Sequence, residues 1–234
     1  MVVSGDDTTG CFVKNYSKIV DVVTIVASLC VVSIAIILGW KLLRDSPQII
    51  TVPDRTIVHW RSYAEHGHWM GAEDAPVVIV EFGDYECPAC RAVAPHLDAV
   101  RAAFPQQVAL VYRHLPLEYH HLAYPAARAA ECASLQGKFE AFHVWLYHDA
   151  GWMANPRGRF ASFAAEIGMP DLERFESCLD DLGPVASIER DIAAAGELEA
   201  HGTPTILVND LLLGSFADSL TLTALIEAAL EAKF

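Results

Sequence analysis

Residues 77–90, VVIVEFGDYECPAC, constrain the fold more than any other stretch of the chain. An apolar, β-branched run of strand length passes into Cys87-Pro88-Ala89-Cys90, and beyond it the apolar spacing turns helical. Pro88 suits a first helical position, because its missing N–H would be unpaired there in any case. Cys87 then stands at the helix N-terminus, where free N–H groups and the positive dipole end favour a thiolate. Cys90 lies about one turn further in, near enough to close a short disulfide and less exposed. The thiolate is the species that attacks disulfides, so the spacing makes Cys87 the nucleophile and Cys90 the resolving thiol. Thiol–disulfide exchange is the chemistry this predicts.

The remaining composition narrows the alternatives. The 234 residues suit one domain plus an appendage. A net charge of −14 leaves nothing basic enough to follow a phosphate backbone, so nucleic acid is excluded as a partner. Of the six cysteines (Cys11, Cys30, Cys87, Cys90, Cys132 and Cys178) only one pair has CxxC spacing, and a two-knuckle zinc site needs a second such pair. The ten histidines are scattered, and His66/His68 and His120/His121 lack helical ligand spacing. Neither a metal nor a cofactor is expected.

Residues 1–18 are polar. Residues 22–40 carry no charge, and at about 1.5 Å per residue such a helix reaches roughly the ~30 Å of a bilayer core. Lys18 and Asp21 bound one end, and Trp40, Lys41 and Arg44 the other, as interface anchors do. A cleaved signal peptide would have a shorter apolar core and a small-x-small site, which Gly39-Trp40-Lys41 does not provide. The expectation is a single-pass anchor over 19–41 that meets the lipid bilayer through 22–40. Flanking basic residues are balanced, so orientation follows from function: an oxidising disulfide persists outside the cytoplasm. The domain is therefore expected on the periplasmic side of the inner membrane.

A linker and lead-in helix are predicted over 42–70, the helix itself at 59–70, and a domain over 71–234. Within that domain the pattern predicts a buried strand at 77–82, a helix at 88–104 and a second buried strand at 108–113. An alanine-rich helical stretch from 122 to about 150 is interrupted at Gln136-Gly137, and helices follow at 159–167, 172–182 and 185–198. Strands at 205–208 and 211–213 flank a turn at Asn209-Asp210, and a closing helix covers 219–232. Strand, helix, strand, helical block, two strands and helix describe an α/β sheet with a helical insertion at about 118–200.

These motifs resemble the DsbA-like branch of the thioredoxin superfamily. The likeness rests on Glu81-Phe82-Gly83-Asp84-Tyr85-Glu86-Cys87-Pro88-Ala89-Cys90, Tyr112-Arg113-His114-Leu115-Pro116-Leu117, Gln136-Gly137-Lys138-Phe139 and Gly202-Thr203-Pro204-Thr205, in that order. It implies a thioredoxin-like fold with an inserted helical subdomain, here preceded by a transmembrane helix. It also implies that Cys87 attacks and Cys90 resolves. Pro204 matches the proline whose preceding peptide bond is cis and which faces the cysteines. A cis bond there would turn the Thr203 backbone toward an extended substrate, as in strand addition. Glu81 matches the family's buried acid, with proton exchange with Cys90 as its implied role; burial would raise its pKa to suit that task.

One departure from the pattern has a consequence. Strongly oxidising members carry a histidine between the cysteines, where this chain has Ala89, so the Cys87 pKa is expected below the ~8.5 of free cysteine but less depressed than theirs. The corresponding potential lies at roughly −230 to −130 mV. Cys132 and Cys178 are either two buried free thiols packing as small apolar residues or a pair. An oxidising compartment favours the pair, and the resemblance extends to relatives with a second disulfide in this insertion. The expected partners are exported proteins with cysteines, and a membrane or soluble redox partner that resets the pair. Two other functions fit less of the pattern: an envelope disulfide reductase, as in cytochrome maturation, and a tethered binding or chaperone module whose CxxC is structural.

Overall fold

The structure, a computed structural model, describes residues 28–34, 55–181, 185–213 and 219–231. The chain divides into two units, Met1–Ile50 and Thr51–Phe234. In the first, residues 28–34 are helical. The rest of the expected anchor over 19–41, and the polar segment 1–18, lie outside the described residues. Among the described residues no helix is long and apolar enough to cross a membrane.

The second unit is built on a five-stranded mixed sheet in the order β1-β3-β2-β4-β5. The strands are β1 (His68–Met70), β2 (Val77–Gly83), β3 (Val108–His114), β4 (Thr205–Val208) and β5 (Leu211–Leu213). β2 and β3 run parallel over seven residue pairs, and the other neighbours are antiparallel. A parallel pair needs a crossover, which α1 (Pro88–Ala103) supplies. Every residue of β2 and β3 is buried, the pattern of strands covered on both faces.

Alternation divides the core. Val77 and Ile79 face one cluster, with Val93, Leu97 and Val100 of α1. Val78, Val80 and Phe82 face the other, with Trp60, Leu115, Ala195 and Leu198. The helical insertion consists of α2 (Ala123–Ser134), α3 (Phe139–His148), α4 (Pro156–Glu166), α5 (Leu172–Asp180) and α6 (Val185–Glu197); α7 (Ser219–Glu231) closes the chain. Gly137, at φ +69°, separates α2 from α3 where the sequence predicts a break. α1 continues through Pro95.

The lead-in helix expected at 59–70 does not form. A short 3-10 turn covers Trp60–Tyr63, and the chain then joins the sheet as β1, its His68 opposite Tyr112. Gly67 permits this approach: a Cβ there would sit 2.3 Å from Val111 Cγ1. Sheet pairing to an exposed edge outweighs the weak helical spacing of so short a segment. At the opposite edge Thr56 bridges to Leu211. Residues 55–70 thus pack as part of the domain that the sequence reading begins at 71.

Candidate active site

Cys87 is the N-cap of α1, and Pro88 fills the first helical turn. Three residues earlier, the buried Asp84 shapes the loop into the helix. Its Oδ1 accepts from the Glu86 N–H at 2.8 Å, and its Oδ2 accepts from the Leu117 N–H at 2.9 Å and contacts His120 Nδ1 at 2.7 Å. Glu86 in turn accepts from the Leu122 N–H at 2.6 Å. Arg91, one residue beyond Cys90, donates to the carbonyls of Tyr85, Leu146 and Tyr147, tying α1 to the insertion. Sequence reasoning missed Asp84, His120 and Arg91. The signal for Asp84 was an acid inside an otherwise apolar run, with a second acid two residues on, an Asx-turn pattern.

Both active-region cysteines are unbonded thiols. Cys90 has no exposed surface and Cys87 retains 6 %, so the expected asymmetry holds while Cys87 is more covered than the sequence suggests. Part of that cover is the loop before β4. The Thr203–Pro204 peptide bond is cis, and the Thr203 carbonyl accepts from Cys87 Sγ at 3.4 Å. Thr203, Pro204, Cys87 and Cys90 therefore meet at one end of the sheet, from segments far apart in sequence.

The two thiols are driven in opposite directions. Cys87 is lowered from 9.0 to about 5: a hydrogen bond from Cys90 leads, burial opposes it, and the Thr203 side-chain hydroxyl and the N–H groups of Ala89 and Cys90 add to it. Cys90 is pushed far up, by burial first and then by that hydrogen bond and the charge of Glu81. The helix start contributes to the Cys87 thiolate, as expected, but the neighbouring thiol contributes more.

Glu81 lies on β2, opposite Tyr112 of β3 and Ile206 of β4. Alternation places it on the α1 side of the sheet, beside Ile79 in the pleat. It is fully buried, and neither carboxylate oxygen has a protein hydrogen-bond partner. Its pKa is pushed up to about 8, chiefly by burial, with smaller contributions from the charges of Asp98 and Cys87. Three buried tyrosines surround this region: Tyr85 stacks on Tyr112, whose hydroxyl lies 2.9 Å from that of Tyr147. Gly83 runs beneath them, and a Cβ there would meet both Tyr112 and the Tyr147 hydroxyl at 2.6 Å.

Cys132 and Cys178 lie elsewhere, joined as a disulfide that links α2 to α5. Among the described residues, His68, His114 and Glu131 form the group whose donor atoms suit a metal ion.

A family model described as thioredoxin matches residues 63–228. The chain is similar to a thioredoxin-like oxidoreductase from Silicibacter pomeroyi, with 32% identity and a TM-score of 0.64 over 73% of this chain and 98% of that one. It is also similar to oxidised BdbD from Bacillus subtilis, at 25% identity and a TM-score of 0.63, covering 71% of this chain and 94% of the other. DsbA2 of Pseudomonas aeruginosa gives 30% identity and a TM-score of 0.53, over 68% and 92%. A curated relative of another description is the Na(+)/H(+) antiporter NhaA of Herminiimonas arsenicoxydans, 35% identical over 83% of this chain but 31% of that protein. The chain thus spans about a third or less of the length of the curated relatives it matches.

Proposed function

The chain belongs to the thioredoxin family, and on that premise we propose that it is a protein thiol–disulfide oxidoreductase working as an oxidase on exported proteins. One observation carries this: two unbonded thiols, three residues apart at a helix start, with Cys87 lowered to about 5 and Cys90 pushed strongly up. A disulfide whose reduced form is stabilised by a low-pKa thiolate is the more readily reduced, hence the better oxidant.

The proposed reaction uses these groups in turn. A client thiolate attacks the Cys87 sulfur of the Cys87–Cys90 disulfide, and Cys90 leaves as a thiolate. With its strongly raised pKa Cys90 takes up a proton, which Glu81, titrating near 8, is suited to supply from inside the sheet. A second client thiolate then displaces Cys87, which leaves readily as a stable thiolate. The client is oxidised by two electrons and the enzyme reduced by two. The contact from Cys87 Sγ to the Thr203 carbonyl needs a Cys87 thiol, so it is absent from the disulfide form that a client meets, and the carbonyl is then free for an extended client. A membrane or soluble redox partner restores the disulfide.

The anchor over 19–41 and a periplasmic location belong to this proposal and rest on the uncharged run 22–40 and on the need for an oxidising compartment.

The test is equilibration with glutathione buffers followed by thiol trapping. A midpoint between about −230 and −130 mV supports the oxidase, and one near the ~−270 mV of thioredoxin supports a reductase instead. A Cys90→Ala chain is expected to accumulate mixed disulfides through Cys87. If Cys87→Ala retains full exchange activity, the CxxC is structural.

A further inference from the structure

We propose that His68, His114 and Glu131 form a binding site for a divalent transition-metal ion of the zinc type, separate from the redox cysteines. The three side chains come from three elements, edge strand β1, strand β3 and helix α2. His68 Nε2 lies 2.7 Å from Glu131 Oε1, and His114 Nε2 lies 3.0 Å from the same oxygen. All three donor atoms fall within 4.8 Å of one another. Two imidazoles and a carboxylate are a zinc donor set, which leaves a fourth position open.

His114 carries the inference beyond an ordinary ion pair. Its side chain is buried, its Nε2 faces Glu131 Oε1 at 3.0 Å, and its Nδ1 has no hydrogen-bond partner among the described residues. Buried imidazole nitrogens are nearly always fully partnered, and two of them converging on one carboxylate oxygen, with the His114 Nδ1 left over, is the arrangement a bound cation would complete. Rigid surroundings hold the donors in place. Phe139 stacks on the His68 ring at 3.6 Å between centroids, the His114 backbone N–H donates to Asp191, and Glu131 adjoins the disulfide residue Cys132. Access exists as well: His68 keeps 18 % of its side chain exposed, and Glu131 borders a cleft of about 560 Å³ with Ser177, Ala186 and Arg190. A metal here would fasten the edge strand to the insertion.

The test uses the full chain with Cys11, Cys30, Cys87 and Cys90 replaced by Ser, which leaves the Cys132–Cys178 disulfide and no free thiol. Titration with Co²⁺ is expected to give visible d–d bands that saturate at one equivalent without thiolate charge transfer, and Zn²⁺ is expected to abolish them. His68→Ala in that background should lose the bands while keeping a cooperative melt, and Glu131→Gln should lose them too. In the unmutated chain Zn²⁺ should protect His68 from diethyl pyrocarbonate, a readout that needs no variant to fold. Absence of bands in the thiol-free chain, bands unchanged by His68→Ala, or unprotected His68 would each overturn the site.

Discussion

Glu81 and Cys87 show how much burial and neighbours do to single groups. For Cys87 the ordinary 9.0 falls to about 5 in the folded dithiol form, so the thiolate contributes stability that is fully present above pH 9 and lost as pH falls to 5. Iodoacetamide alkylation of Cys87 should accordingly rise with a midpoint near pH 5, several units below a free cysteine. A midpoint above 8 would remove the chemical basis of the proposed oxidase. Glu81 runs the other way. Its folded pKa of about 8 lies above the ordinary 4.5, so folding carries no penalty below pH 4.5, a growing one from 4.5 to 8, and a constant one beyond. Glu81→Gln is expected to gain stability relative to the parent across that window, on the order of 4 kcal/mol at its top, by denaturant unfolding at several pH values. The same variant should slow protonation of Cys90, and with it client oxidation, most at pH 6–7 on the order of 10²-fold.

Helices and loops set these groups in place. The insertion is fastened internally by the Cys132–Cys178 bond across a separation of 46 residues. Chain-entropy reasoning puts the loss on replacing both with Ala at about 4 kcal/mol, read as a lower denaturation midpoint with the Cys87 alkylation rate unchanged. The loop before α1 depends on Asp84, which holds two backbone N–H groups and His120. Asp84→Ala is expected to leave those partly buried donors without their acceptor, at a cost of about 1–3 kcal/mol, and to broaden the pH profile of Cys87. The segments at 77–83, 88–103 and 205–213 were legible from periodicity and from Pro88, because each satisfies its own apolar pattern. β1 was not, because three residues become a strand only when β3 is there to pair with them.

Across the whole domain, the face of the sheet opposite α1 is held by a buried ion pair. Arg113 Nε donates to Asp191 of α6, Arg113 Nη1 donates to the Tyr63 carbonyl at 2.7 Å, and Asp191 Oδ2 accepts from the His114 N–H at 2.8 Å. One carboxylate thus joins the end of β3 to the last helix of the insertion, and through Arg113 to the lead-in chain. Asp191→Ala should cost about 3–5 kcal/mol, since it strands a buried guanidinium, and equilibrium unfolding would measure it. Double replacement by Leu and Met should recover part of that loss, since paired apolar residues carry no desolvation penalty.

Local chemistry was already written in the residue order: a strand, a proline-started helix and two thiols one turn apart follow from propensity and spacing alone. Glu81 could be named, and its burial and raised pKa expected from the family likeness, but not which residues surround it, because those come from both sides of a sheet whose strand order no local pattern encodes. The same holds for His68, His114 and Glu131, which look like unrelated polar residues along the chain. Folding brings them within hydrogen-bonding range of one oxygen because β1, β3 and α2 pack together. Short-range preferences act over a few residues, whereas burial and electrostatic coupling depend on which distant segments meet, and that is settled by the packing of the folded chain.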